Sequence, residues 1–98
     1  MPRTKRCRRI GRSPNAFMFK PAGIKACNLE EIVLEADEME SIRLADEQGL
    51  YHADAAEKMG VSRQTFGRII EKARKKIATA LVNGWVLRIE GEPVGEDD

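Results

Sequence analysis

Residues 53–70 read ADAAEKMGVSRQTFGRII, and their types follow what two helices meeting through a tight turn require. Ala56 is small, which suits the close passage of a second helix. Four positions on, Gly60 stands where the turn needs a left-handed backbone, a conformation that costs little only for Gly. Val61 plugs the turn into the core and Ser62 caps the next helix. Phe66 and Ile69 lock that helix against Ala55 and Met59. The pattern is that of a helix-turn-helix, with the turn near 59–62 and the second, recognition-type helix over 62–83.

Working outward, that second helix ends well at Asn83 and Gly84 and is roughly 30 Å long. Phe66, Ile69, Ile70, Ala73, Ile77, Ala80 and Leu81 form one apolar stripe, to be buried, and Gln64, Arg68, Glu71, Lys72 and Lys75 the opposite face. Upstream, His52 to Met59 predicts the first helix of the pair, stopped by Gly60. Before it, Asp37 with Glu40 is a capping-box-like start for a helix carrying Met39, Ile42, Leu44 and Ala45 and ended by Gly49. Asn28 can cap a short helix over Leu29 to Leu34. Residues 1–25 hold Pro2, Pro14, Pro21, Gly11 and Gly23, so no long helix runs there. Phe17 to Lys20 and Trp85 to Glu90 are extended candidates that can pair with each other, within the chain or between subunits. The expected fold is mainly α, a three- to four-helix domain with an irregular basic arm and allowance for short terminal β-strands. Its parts are an arm over 1–27, the helix-turn-helix domain over 28–84, and a short strand with an acidic tail over 85–98.

The chain has 98 residues, 42% of them hydrophobic and 5% aromatic, with 17 Lys and Arg against 16 Asp and Glu. That is room for one domain, and a large enzyme with an enclosed cleft is not expected. The longest strictly apolar run is Ala16 to Phe19, far short of the roughly 20 residues that span a bilayer. A soluble, cytoplasmic protein without membrane association is expected.

The net charge of +1 hides segregation: residues 1–25 hold eight bases and no acid, and 26–57 hold ten acids against Arg43. Residues 58–88 return to eight bases against Glu71, and five acids follow Ile89. Such a pattern suits an anionic partner; the alternative is that the acidic block neutralises the basic ones within the molecule.

In recognition-helix geometry Arg63, Gln64, Gly67 and Arg68 face base edges of double-stranded DNA. There Gln pairs with adenine, Arg pairs with guanine, and Gly67 lets the backbone come close. Ser62 and Thr65 can donate to phosphate, while Lys58, Lys72 and Lys75 supply sequence-independent attraction. The competing reading is an ordinary solvated helix face. Arg3, Lys5, Arg6, Arg8, Arg9 and Arg12 on the arm can follow a phosphate backbone or enter a minor groove, or form a solvated or partner-binding tail. Trp85, just past the helix cap, is expected to pack against the apolar face rather than stack on a base.

Cys7 and Cys27 stand apart with no zinc-ligand spacing; Arg6, Arg8 and Arg9 would favour a thiolate at Cys7. His52, the one imidazole, reads as a helix-surface residue. No paired carboxylates, Cys/His dyad or phosphate loop stands at a usable spacing, so neither catalysis nor a metal or other cofactor is expected.

Over nearly its whole length the sequence resembles a small prokaryotic family of predicted DNA-binding proteins, number 134 among the domains of unknown function. The resemblance is carried by CRRI at Cys7 to Ile10, Pro14, FKPAGI at Phe19 to Ile24 and IRLAD at Ile42 to Asp46. It continues through AAEKMGVSRQTFGRI at Ala55 to Ile69 and LRIEG at Leu87 to Gly91. It implies a helix-turn-helix of the sigma factor region 4 type and a regulatory role without a defined operator. Some members carry a further domain similar to iron-molybdenum-cofactor-binding proteins, which these 98 residues do not include. The expectation is a sequence-specific DNA-binding transcriptional regulator, acting as a homodimer because a single recognition helix of this size rarely supplies enough specificity. The alternatives are a module docking on RNA polymerase or a sigma factor through its acidic helix, and a thiol or metal sensor using Cys7.

Overall fold

The computed structural model describes residues 17–90. Arg3, Lys5, Arg6, Cys7, Arg8, Arg9, Arg12 and the acids from Glu92 onward lie outside the described residues. The described part is mainly helical with a small three-stranded sheet. In chain order it contains β1 (Met18–Phe19), a 3-10 turn (Ala26–Asn28), β2 (Glu31–Leu34) and α1 (Ala36–Ile42), which runs on as a π-helical turn (Arg43–Glu47). Then come α2 (His52–Met59), α3 (Arg63–Asn83) and β3 (Val86–Ile89).

α2 and α3 fall where the local signals place them. Ser62 Oγ accepts from the Thr65 backbone N–H at 3.1 Å and starts α3. At the end of α2, Gly60 adopts φ 72°, its N–H reaching the Glu57 carbonyl and the Val61 N–H the Ala56 carbonyl, each at 3.1 Å. Gly84 closes α3 in the same way, at φ 71° with the Trp85 N–H on the Ala80 carbonyl. These bonds satisfy carbonyls that a helix end would otherwise strand. Leu44, Ala55, Ala56, Phe66 and Ile70 form the buried cluster between the helices, flanked by Ile42, Ala45, Leu50, Met59 and Val61.

The two extended candidates pair as one possibility allowed: β1 lies antiparallel to β3, with Met18 opposite Arg88. The helix expected over Leu29 to Leu34 is instead β2, parallel to β3 from Glu31 opposite Val86 to Leu34 opposite Ile89. β-Branched Ile32 and Val33 suit a pleated strand, and a central strand that already pairs with β1 offers a second edge. β3 is thus the middle strand, in the order β1-β3-β2.

With β2 extending to Leu34, α1 starts two residues before the Asp37 expectation. The capping box is formed by Glu35 and Glu38, the Glu35 N–H donating to Glu38 Oε1 at 2.9 Å. Glu40 instead pairs with Arg43 on the surface, Arg43 Nη2 standing 2.6 Å from Glu40 Oε2. Leu81 is also corrected: it is 76% exposed, because the stripe outlasts the surface it packs on and ends at Ala80. His52 is half-buried rather than superficial, its ring meeting Phe66 edge-on at 5.1 Å. Trp85 is half-buried, as a packing role requires.

Candidate nucleic-acid interface

Helical spacing brings Gln64, Arg68, Glu71, Lys72 and Lys75 to one side of α3, and all five are exposed. Lys58, in the last turn of α2, and Arg63, first residue of α3, are exposed as well. Arg63 falls on a flank away from Gln64. There it lines a concavity of about 440 Å³ with Ala45, Leu50, Tyr51, His52, Ala53 and Arg74. Tyr51, the residue before α2, is 81% exposed at this rim; in the sequence only its place just before a helix start marks it.

Ser62 and Thr65 are occupied by the turn itself. Beyond the cap, the Ser62 hydroxyl donates to Thr65 Oγ1 at 2.9 Å, so its one proton is spent internally. Thr65 keeps its own hydroxyl proton and is half-buried. Gly67 is half-buried, and a Cβ built there meets nothing within 4 Å. No internal contact therefore requires glycine in the middle of α3, where it costs about 0.5–1 kcal/mol relative to Ala.

The eight bases of residues 58–88 divide into two groups. Arg74 binds Asp46 through two hydrogen bonds, at 2.7 and 3.1 Å, holding the Asp46 carboxyl below its ordinary range. Lys76 Nζ lies 2.7 Å from Glu38 Oε1, and Arg88 Nη2 2.6 Å from Glu31 Oε2. All three acids belong to the acidic block, so intramolecular neutralisation operates, but for these bases only. Lys58, Arg63, Arg68, Lys72 and Lys75 join none of the four ion pairs found among the described residues. Glu71, exposed amid the last four, is the one acid of that stretch.

Among the described residues no three His, Cys, Asp or Glu side chains cluster to hold a metal ion. Cys27 is exposed and unpaired. No described helix is long and apolar enough to cross a membrane.

Helices stacked on a small mixed sheet define the class to which this molecule belongs: a compact mainly helical domain whose longest helix bears exposed basic residues that join no ion pair among the described residues. The chain belongs to the family described as protein of unknown function DUF134, whose model matches residues 1–96. A UPF0251 protein of Prosthecochloris aestuarii is 55% identical over 89 residues, covering 91% of this chain and 57% of the relative. The UPF0251 protein CT0950 of Chlorobaculum tepidum is 55% identical over 85 residues, 87% of this chain and 56% of its own length. This chain thus spans little more than half of those two relatives. The UPF0251 protein VV2_0946 of Vibrio vulnificus, 55% identical over 92 residues, is 92% covered, with 94% of this chain matched. No solved structure matches.

Proposed function

We propose that the protein is a sequence-specific binder of double-stranded DNA and a transcriptional regulator, with α2, the Gly60 turn and α3 acting as a helix-turn-helix similar to that of sigma factor region 4. The observation that carries this reading is the division of the bases. Those of residues 58–88 that face the body are consumed by acids, while Lys58, Arg63, Arg68, Lys72 and Lys75 are exposed on and beside α3 and join no ion pair among the described residues. Phosphates are the complementary partner for such a surface. Gly67 adds support, since an open Cβ position in mid-helix suits close approach by something outside the chain.

In this reading Gln64 and Arg68 touch base edges, Lys72 and Lys75 the backbone beyond, and Lys58 and Arg63 the phosphates flanking the groove. Ser62 holds the turn rather than a phosphate. The protein acts without catalysis or cofactor, in the cytoplasm, as a homodimer on two half-sites.

Selection of bound sequences from random duplex DNA, with solution mass measured alongside, tests the proposal. An enriched motif with dyad symmetry and a dimer mass is expected. No enrichment, with tight binding to RNA polymerase, would replace this reading with that of a protein-docking module.

A further inference from the structure

The last turns of α3 and the loop after β1 gather apolar side chains that the fold leaves bare. Among the described residues five large hydrophobic side chains are exposed, and four of them, Phe19, Ile24, Leu81 and Val82, surround one contact. That contact is between Pro21 and Gly84, the proline Cγ standing 3.9 Å from where a Cβ on the glycine would lie. None of the four is more than three residues from it, about 10 Å of chain at most. Lys20 Nζ holds the loop closed by donating to the Ile24 carbonyl at 2.6 Å. On α3 the exposed Ala78 adds to the patch, since positions three and four apart place it on one helix face with Leu81 and Val82.

We propose that this patch is where two copies of the chain meet, across a two-fold axis. With Leu81 76% and Val82 83% exposed, the patch amounts to a few hundred Å², the upper end of what a monomer leaves to water. One side of an ordinary homodimer interface buries about 800 Å², of which roughly 65% is apolar, so the patch supplies the apolar centre of such an interface.

Charge decides which partner fits. A two-fold contact sets a surface against its own image, so any net charge on that surface repels itself. Residues 77–87 contain no charged side chain, in a chain that is 34% charged. α1 with its π-helical turn is predominantly acidic, and α3 from Arg63 to Lys75 is predominantly basic; neither could face its own copy without that penalty. Nor do the remaining parts of these 98 residues suit the patch. Residues 1–16 and 91–98 hold Met1, Ile10 and Val94 as their large apolar side chains, among six bases and four acids.

The position along α3 also suits a dimer on DNA. Gln64 and Arg68 flank Phe66, which lies roughly 24 Å along the helix from Val82. Two copies joined at the patch put those turns about 34 Å apart, one turn of duplex, when each α3 leans by about 45–60° from the line between them. Contact through the N-terminal half of α3 would bury the residues assigned to base edges. The spacing rests on the DNA-binding reading above; the self-association does not.

Sedimentation of the full chain at about 50 μM is expected to give the dimer mass, because interfaces of this size bind in the micromolar range or tighter. Val82→Lys sets like charges against each other in the contact, while a cation suits a helix C-terminus. Helicity and thermal midpoint should therefore stay, and the dimer Kd should rise at least about hundredfold. Leu81→Lys should do the same, and Tyr51→Lys, at the fifth exposed side chain, should not. A monomeric parent at that concentration overturns the proposal, and if Val82→Lys then abolishes binding to RNA polymerase, the patch belongs to that partner. A dimer that survives both Val82→Lys and Leu81→Lys is built on another surface and overturns it as well. On a duplex with two half-sites Val82→Lys should lose about hundredfold in affinity, and on a single half-site nothing. A dimer that is broken by these variants but binds no duplex keeps the interface and removes the DNA-binding reading.

Discussion

Lys76 of α3 and Glu38 of α1 form a partly buried ion pair that ties the long helix to the sheet. The Glu38 side chain is 3% exposed, and Lys76 Nζ, 2.7 Å away, also donates to the Val33 carbonyl of β2 at 2.8 Å. The second Glu38 contact, from the Glu35 N–H, is the one that starts α1. A single carboxylate therefore joins the cap of one helix to the side of another. Lys76→Met would leave that carboxylate buried without its cation, at a cost of about 3 kcal/mol. Chemical denaturation should show this loss, with a much smaller loss for Lys75→Met on the exposed side. Equal losses in the two variants would remove the pair from the list of contacts that hold the fold.

Gly67→Ala should move stability and binding in opposite directions. The new methyl meets open space, and replacing a mid-helix Gly should add about 0.5–1 kcal/mol. A rise in thermal midpoint of about 2–8 °C is expected. If the backbone at this turn approaches DNA, binding to the selected duplex should weaken about tenfold, equivalent to 1.4 kcal/mol. Unchanged affinity would place the turn away from the duplex.

Base reading and backbone attraction should fail differently along α3. Gln64→Ala or Arg68→Ala should lose about 1–3 kcal/mol on the preferred duplex and relax discrimination at one base pair. Lys72→Ala should weaken preferred and scrambled duplexes by the same factor. Competition between the two duplexes at fixed salt is the measurement. An equal loss on both for Arg68→Ala would assign that residue to a phosphate.

Asp46 gives the fold a contribution confined to one side of the pH scale. The hydrogen bonds from Arg74 lower its carboxyl below the ordinary value of 3.8. Stability gained this way is complete above that value and is lost as the pH falls through the lower folded value. Both side chains are nearly half exposed, so Asp46→Asn should cost under about 1 kcal/mol at pH 7. The gap between variant and parent should close toward pH 2. A gap that widens in acid would give the pair the wrong sign.

The boundaries of α2 and α3 were legible because Gly60, Ser62 and Gly84 act within a turn of where they stand, and local chemistry is what a sequence displays. β2 was not, since its conformation depends on β3 at the far end of the chain, while Asn28 and two following acids imitate a helix start. For α1 the box at Asp37 and Glu40 and the one at Glu35 and Glu38 have similar local signals; Lys76, 38 positions from Glu38, favours the second. Leu81 continues a periodicity whose partner surface has ended, and nothing local marks that end. At the candidate interface, exposure of Gln64, Arg68, Lys72 and Lys75 followed from the stripe opposite them. Which bases are spent on acids did not, because Arg74, Lys76 and Arg88 differ from the others only in what lies across from them.

The middle strand of the sheet is the last of the described elements to be made during synthesis. β1 and β2 do not pair with each other, and Ile32 must wait for Leu87, more than half the chain later, to acquire a partner. The helices can pack as soon as α3 has emerged, since their cluster draws on residues 42 to 70. Until residues 86–89 follow, two strands remain open edges beside a formed helical core, a state that invites pairing with other chains. A nascent chain halted before Trp85 would therefore carry folded helices and be prone to aggregate, whereas four further residues of strand would close both edges at once.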